Sequence, residues 1–425
     1  MSERIQAIRG MNDILPDTSY AWRQLESIFA QCLMDYGYQE IRIPLLENTL
    51  LFKRTIGEVT DIVEKEMYTF NDLNGESLTL RPEGTAGCVR ACLEHGLLHN
   101  QQQKLWYCGP MFRHEKPQKG RYRQFYQFGV EAFGIDGIGI ELELIAICKR
   151  IWDQLGIGDA LQLQINTLGS LDERQAYRQV LIDYFKPNFE LLDEDSKRRL
   201  DRNPLRILDS KDPNMKKLIA EAPQLIDVIS KQSRQYFFEL CEGLDKLGLQ
   251  YQINPFLVRG LDYYGHTVFE WVTDKLGSQS TVCAGGRFDK LIEQLGGQTT
   301  PAIGFALGIE RLLLLMDTLQ KPLSVQPMPL LFFLAMGSNA MVKALVLAEK
   351  LRDQQPHWQL LVNTSGGSFK SQFKKADKSG ARLALILGED EMLNNTISIK
   401  DLREVNDQVS IPQHELIQFI KRYLP

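Results

Sequence analysis

The chain has 425 residues, 44% hydrophobic and 24% charged, with a formal net charge of −5. Its length predicts two or three domains of a globular protein, and the acidic balance excludes a simple basic nucleic-acid coat, so contact with nucleic acid must be local. No apolar run reaches the roughly 18 residues of a membrane span, the N-terminus lacks a secretory h-region, and seven scattered cysteines with no Cys-x-x-Cys pair fit reduced thiols in a cytoplasm rather than disulfides or zinc.

In chain order, Trp22, Leu25, Phe29, Cys32, Leu33 and Tyr36 recur at helical spacing and predict an amphipathic helix over 19–36, ended by Gly37. Residues 40–43 read as a short strand stopped by Pro44, which marks an edge or an interface. Residues 51–66 read as a charged loop with a short helix. Residues 67–70 and 78–80 read as a hairpin around Asp72-Leu73-Asn74-Gly75. Arg81-Pro82-Glu83-Gly84-Thr85 then opens a helix to about residue 95. Glu83 is either a first-turn partner of the helix dipole, worth about 0.3–1 kcal/mol, or a carboxylate that receives an ammonium group.

Residues 105–134 organise the rest. They read as two strands, 105–112 and 124–133, joined by Arg113-His114-Glu115-Lys116-Pro117-Gln118-Lys119-Gly120-Arg121-Tyr122-Arg123. That loop is poorly suited to a core. It is either a solvated hairpin tip or an anion clamp in which the rigid guanidinium fork holds a phosphate. On the second strand a period of two puts Gln127 and Glu131 on one face, so a cation clamp and a carboxylate can meet in one pocket.

Further on, 137–155 reads as a helix and the alternating 161–167 as a strand. The charge-rich stretch of about 171–230 interrupts the sheet pattern as a helical insertion. Residues 250–256 return to strand. Arg259 follows between Leu257, Val258 and Leu261, with Asp262 beside it, and reads as a partly desolvated cation that needs an anion. Residues 301–308 read as a glycine-bearing strand running into an apolar helix, with Arg311 at its start, unfavourable beside the helix dipole unless an anion is bound. After a proline-bearing linker at 324–329, strands and helices alternate: strand 330–336, helix 339–353, strand 359–363, helix 368–379, strand 383–387, then strands 396–402 and 408–411 and a last helix. This predicts a mainly parallel sheet covered on both faces. The helix 368–379 carries Lys370, Lys374, Lys375 and Lys378, which are either solvated or face a polyanion.

Several strings resemble a known family. Phe112-Arg113-His114-Glu115, the loop, and Gln124-Phe125 resemble motif 2 of the class II aminoacyl-tRNA synthetases, in the version of the histidyl-tRNA synthetases. TLRPEGTAG at 79–87, VRGLDYY at 258–264 and AGGRFD at 284–289 resemble further strings of that family, and 301–315 resembles motif 3. At 288 the family commonly has Tyr where this chain has Phe288, so one hydroxyl is missing there. The run from the first helix to Pro44 resembles motif 1, which in the family builds a dimer interface.

The resemblance implies an α+β catalytic core, an antiparallel sheet flanked by helices, over 1–325 with the helical insertion inside it, and an α/β anticodon-binding domain over 326–425. It implies a histidine–tRNA ligase. Histidine and ATP, with Mg²⁺ carried on the phosphates and no protein metal cage, give histidyl-adenylate, and histidine then passes to tRNA(His). Arg113 and Arg259 would be catalytic at the α-phosphate. Arg113, Arg121 and Arg311 would bind ATP. Glu83, Thr85, Gln127, Glu131, Arg259, Tyr263 and Tyr264 would bind histidine. Gln118 and Arg123 are candidates for the acceptor end of tRNA. The rival is a non-catalytic regulatory subunit of ATP phosphoribosyltransferase, which shares the core fold but lacks the anticodon domain.

Overall fold

The computed structural model describes residues 4–423 apart from 57–59, 61, 209, 211, 259–262, 278–279, 324–329 and 405. The expected position of Arg259 and the expected linker at 324–329 lie outside the described residues. The chain divides into two compact units, Met1–Ser324 and Val325–Pro425.

The first unit is built on an eight-stranded sheet. In chain order its strands are β1 (Gln39–Glu40), β5 (Gln103–Phe112), β6 (Gln124–Phe133), β7 (Gln162–Thr167), β8 (Tyr251–Ile253), β9 (Gly265–Val272), β10 (Thr281–Arg287) and β11 (Ala302–Gly308). A small antiparallel sheet takes β2 (Leu46–Asn48), β3 (Tyr68–Asn71) and β4 (Ser77–Leu80). The large sheet runs β1-β5-β6-β11-β10-β9-β7-β8. Its six inner strands pair antiparallel, and the two short end strands, β1 and β8, pair parallel to their neighbours. The hairpin between β3 and β4 turns as its sequence dictates. Asp72 Oδ1 accepts from Asn74 N at 2.8 Å and Glu76 N at 2.9 Å, and Gly75 takes a φ of +85°.

The two faces of the large sheet have different jobs. One is covered by the helices Pro16–Asp35, Ile138–Gln154, Lys231–Lys246 and Ile309–Thr318, which bury Phe29, Leu144, Phe237 and Leu312 against Trp106, Phe128 and Val130. The other packs against the helix Thr85–Glu94 and the insertion, through Tyr107, Phe133, Tyr177 and Phe288. The insertion is helical as expected, with Leu171–Phe185 its longest helix. Its base is closed by Glu173, whose carboxylate accepts from Ser170 N at 2.7 Å, Ser230 N at 2.8 Å and Ser233 Oγ at 2.8 Å.

A further tie is fully buried. Arg287 Nε donates to Glu141 Oε1 at 2.7 Å with both side chains enclosed, and this joins β10 to the helix Ile138–Gln154. The strands β9 and β10 themselves are also unforeseen, and the strand expected over 250–256 is only Tyr251–Ile253. β9 begins with a bulge at Gly265, where His266 takes a left-handed φ of +48°, and so departs from plain alternation.

The second unit carries strands β12 (Leu331–Ala335), β13 (Leu360–Val362), β14 (Leu383–Leu387), β15 (Thr396–Asp401) and β16 (Val409–Pro412) in the order β13-β12-β14-β15-β16. Only β13, β12 and β14 are parallel; β15 and β16 join antiparallel, which corrects the mainly parallel expectation. The connection from β14 to β15 holds only the six-residue helix Glu389–Asn394, too short for a crossover of a dozen or more residues. β12 is buried along its whole length, as suits a strand covered on both faces.

Candidate active site

The site begins at the corner after β4. Glu83 is buried and turns back on the helix that follows, accepting from Thr85 N at 2.6 Å and Ala86 N at 3.0 Å. The first-turn reading of Glu83 is therefore realised in the structure. A carboxylate has about four lone-pair positions, so this capping leaves acceptor capacity for a ligand. Thr85 turns its hydroxyl the other way and donates to Glu131 Oε1 at 2.8 Å. Tyr107 donates to the same oxygen at 3.0 Å.

Three glycines make room for this arrangement. A Cβ on Gly84 or Gly129 would collide with the Tyr107 ring, and one on Gly304 with the Glu131 carboxylate. Each glycine is a place where a side chain fills the space over bare backbone. Burial pushes the Glu131 carboxyl well above its usual range, with Glu83 adding repulsion while the Thr85 and Tyr107 bonds pull it down. Burial also raises Glu83, against its two backbone bonds. Two enclosed carboxylates that repel one another are suited to a cationic or strongly hydrogen-bonding ligand.

A cleft of about 300 Å³ opens alongside, lined by Arg113, Arg121 and Arg311 with Gln127, Phe125 and Glu310. The loop 113–123 reaches it by folding over: Gly120, at a φ of +74°, lies against Leu314 of the helix Ile309–Thr318. Arg113 donates Nε to Pro82 O at 2.8 Å and stacks its guanidinium over Phe125 at 5.3 Å. Arg121 pairs with Glu115, and Arg311 donates to Thr281 O. Burial lowers the pKa of Arg121 and of Arg311, and Arg113 repels both. Three guanidinium groups held together against their own repulsion make a cleft that a polyphosphate stabilises.

Glu310, the neighbour of Arg311, accepts from Tyr126 N at 3.0 and 3.1 Å, and burial raises its carboxyl to about 7. Tyr107 lies within the expected strand 105–112, and no local pattern marks it out from its neighbours. The signal that would have found it is the glycine at 129, directly opposite it across the β5–β6 ladder.

The remaining expected residues fall as follows. Tyr263 and Tyr264 are buried, their rings 4.7 Å apart, and both pack on Phe288. Phe288 is enclosed in this aromatic cluster with Phe133, so the absent hydroxyl leaves an apolar contact. Gln118 is exposed at the loop tip, its backbone paired with Arg121. Arg123 is half-buried and donates Nε to Glu115 O at 3.2 Å, while its backbone N–H donates to Gly10 O at 2.8 Å, so it fastens the loop base. In the second unit Lys370, Lys374, Lys375 and Lys378 are exposed on the helix Phe369–Lys378, with Lys375 donating to Ser365 Oγ at 2.7 Å. Among the described residues no group of three or more His, Cys, Asp or Glu side chains gathers as a metal cage, and no helix is long and apolar enough to cross a membrane.

An antiparallel sheet with an arginine-lined cleft and two buried carboxylates, followed by a separate α/β unit, is the architecture of a class II aminoacyl-tRNA synthetase. Residues 10–312 match the family described as histidyl-tRNA synthetase, and residues 331–423 match the anticodon binding domain family. A curated relative from Legionella pneumophila strain Philadelphia 1, named Histidine–tRNA ligase, is 64% identical over 422 residues, which is 99% of either chain. The solved apo structure of Staphylococcus aureus histidyl-tRNA synthetase is 36% identical and superposes with a TM-score of 0.82 over 98% of this chain and 100% of that one. A Bacillus halodurans structure described as an ATP phosphoribosyltransferase regulatory subunit/histidyl-tRNA synthetase shares the fold, at 19% identity and a TM-score of 0.64, over 91% of this chain and 98% of that one. The chain belongs to the histidyl-tRNA synthetase family.

Proposed function

We propose that the chain is a histidine–tRNA ligase that joins histidine to ATP as histidyl-adenylate, releasing pyrophosphate, and then passes histidine to the 3′ end of tRNA(His). The full-length 64% identity to a curated Histidine–tRNA ligase carries this reading over the regulatory one. At 19% identity the Bacillus structure speaks only for the fold.

In the first step the histidine carboxylate attacks the α-phosphorus of ATP, and the bond to the β,γ-pyrophosphate breaks. Both reactants are anions, so the protein's task is to place cations beforehand. Arg113, at the end of β5, would meet the α-phosphate. Arg121 and Arg311 would hold the outer phosphates. Arg259 joins Arg113 on the strength of its string alone. Mg²⁺, a hard ion that prefers oxygen donors, would ride on the phosphates within reach of the cleft carboxylates Glu115 and Glu310, and when bound it neutralises phosphate charge. Glu83, Thr85 and Gln127 would take the α-amino group, and Glu131 with Tyr264 and Tyr263 would frame the imidazole. A site that pairs both ring nitrogens rejects apolar analogues by roughly 10⁴-fold, because its own groups would be left unpaired.

For the second step, Gln118 at the exposed loop tip would touch the acceptor end of tRNA, with Arg123 behind it. The second unit would read the anticodon. A homodimer would form over the groove lined by the helix Pro16–Asp35, residues 39–45 and β5, where Met34 and Leu45 are 54% and 42% exposed. Seven unpaired thiols accord with a cytoplasmic setting.

The deciding experiment is amino-acid-dependent ATP–pyrophosphate exchange with each of the twenty amino acids. Exchange with histidine alone is expected. No exchange by folded protein with Mg²⁺ present would overturn the ligase reading in favour of a regulatory one.

A further inference from the structure

Arg81 stands two residues before Glu83 and is only 4% exposed. Its side chain does not enter the arginine cleft. Nε donates to Pro110 O at 2.9 Å, and Nη1 donates to Ile43 O at 2.9 Å and Pro44 O at 3.3 Å. Its backbone extends the same junction. Arg81 N donates to Leu45 O at 2.9 Å, and Arg81 O accepts from Phe112 N at 2.9 Å. One residue with one guanidinium thus fastens three segments: the 43–45 stretch, the end of β5, and the corner that carries Pro82 and Glu83. The next carbonyl along, Pro82 O, is the acceptor for Arg113 Nε at 2.8 Å.

We propose that Arg81 is a positioning residue for the adenylation step: it fixes the Pro82 carbonyl that aims Arg113. The planar fork of an arginine reaches carbonyls on two sides through separate nitrogens, whereas the donors of a lysine ammonium all radiate from one atom. The site is built for it. Gly109 in β5 lies beneath Nη2, and a Cβ there would overlap that nitrogen. Because 43–45 also lines the groove proposed as the dimer face, the same guanidinium joins that face to Arg113. This inference rests on the reading of Arg113 as the α-phosphate cation.

The test uses the full-length chain and four variants: Arg81→Met, Arg81→Lys, Gly109→Ala and the double variant Arg81→Met/Arg113→Ala, each read against Arg113→Ala. Histidine-dependent pyrophosphate exchange is normalised to the folded fraction, and histidine affinity is measured in parallel by calorimetry. In Arg81→Met and Gly109→Ala, kcat should fall roughly 10- to 100-fold, with histidine affinity held within about threefold. Arg81→Lys should recover part of the loss. In the Arg113→Ala background Arg81→Met should add little, because both act on one arginine. Full additivity, or unchanged kcat per folded molecule in both Arg81→Met and Gly109→Ala, would overturn the assignment while leaving the ligase reading intact. A wild type that exchanges nothing would overturn both.

Discussion

Gly304 leaves open the space that the Glu131 carboxylate fills. The two residues face one another across the β6–β11 ladder, and a Cβ at 304 would overlap Oε2. Glu131 is held from its other side by Thr85 and Tyr107, so it has nowhere to retreat. Gly304→Ala should therefore displace the carboxylate and raise KM for histidine at least ten-fold, at a stability cost of about 1–3 kcal/mol from overpacking. Exchange kinetics at varied histidine and varied ATP check it. A KM for histidine that stays at the wild-type value would show that Glu131 does not line the amino-acid site.

The gap between sequence and structure follows a physical line. The elements with regular periodicity were legible: the first helix, β5 and β6, the hairpin around Asp72, and the alternation of the second unit. The arginines Arg113, Arg121 and Arg311 were also legible, because cations without an apolar role stand out in a string. What the sequence hid were relations that exist only after folding. Tyr107 reaches Glu131 because Gly84 and Gly129 are bare beneath its ring. Arg123 is not a free loop cation because Glu115 O and Gly10 O hold it. Arg287 is a buried ion pair because a helix about 146 residues earlier brings Glu141 to it. No local pattern carries such pairings.

The Arg287–Glu141 pair gives a stability prediction. Tyr236 also donates to Glu141 Oε1 at 2.7 Å, so the carboxylate is the shared acceptor of two elements. Arg287→Met leaves Glu141 buried and uncompensated and should cost about 3–5 kcal/mol. Arg287→Met/Glu141→Gln, which removes both charges, should regain most of that loss. Urea unfolding of the three proteins decides: equal losses in the single and double variants would mean that charge pairing is not what the arginine supplies.

Two carboxyls tilt stability with pH in opposite directions. Burial raises Glu310 from 4.5 to about 7, so its contribution is present below 4.5 and is lost as pH climbs through 7. The hydrogen bonds at the base of the insertion outweigh desolvation at Glu173 and hold it down at about 2, so its contribution is present above 4.5 and is lost as pH falls towards 2. Glu310→Gln should flatten the decline between pH 4.5 and 7. Glu173→Gln should flatten the decline on the acid side and make the insertion more open to proteolysis at neutral pH. Urea midpoints across pH 3 to 8 supply the comparison, and a Glu310→Gln curve parallel to wild type would contradict the first half.

Gln118 and Arg123 should part company in function although both sit on one loop. Gln118 is exposed at the tip, and its side chain can be cut back without disturbing the arginine cleft. Arg123 ties the loop base to Glu115 O, and the loop carries Arg121 into the cleft. Gln118→Ala should therefore leave pyrophosphate exchange near wild type and slow transfer to tRNA. Arg123→Ala should lower both, because a loosened base also misplaces Arg121, and a 1 Å displacement can cost on the order of 10²-fold. Exchange and aminoacylation rates measured on the same preparations separate the two roles. Equal losses in both assays for Gln118→Ala would place that residue with the adenylation machinery instead of the tRNA contact.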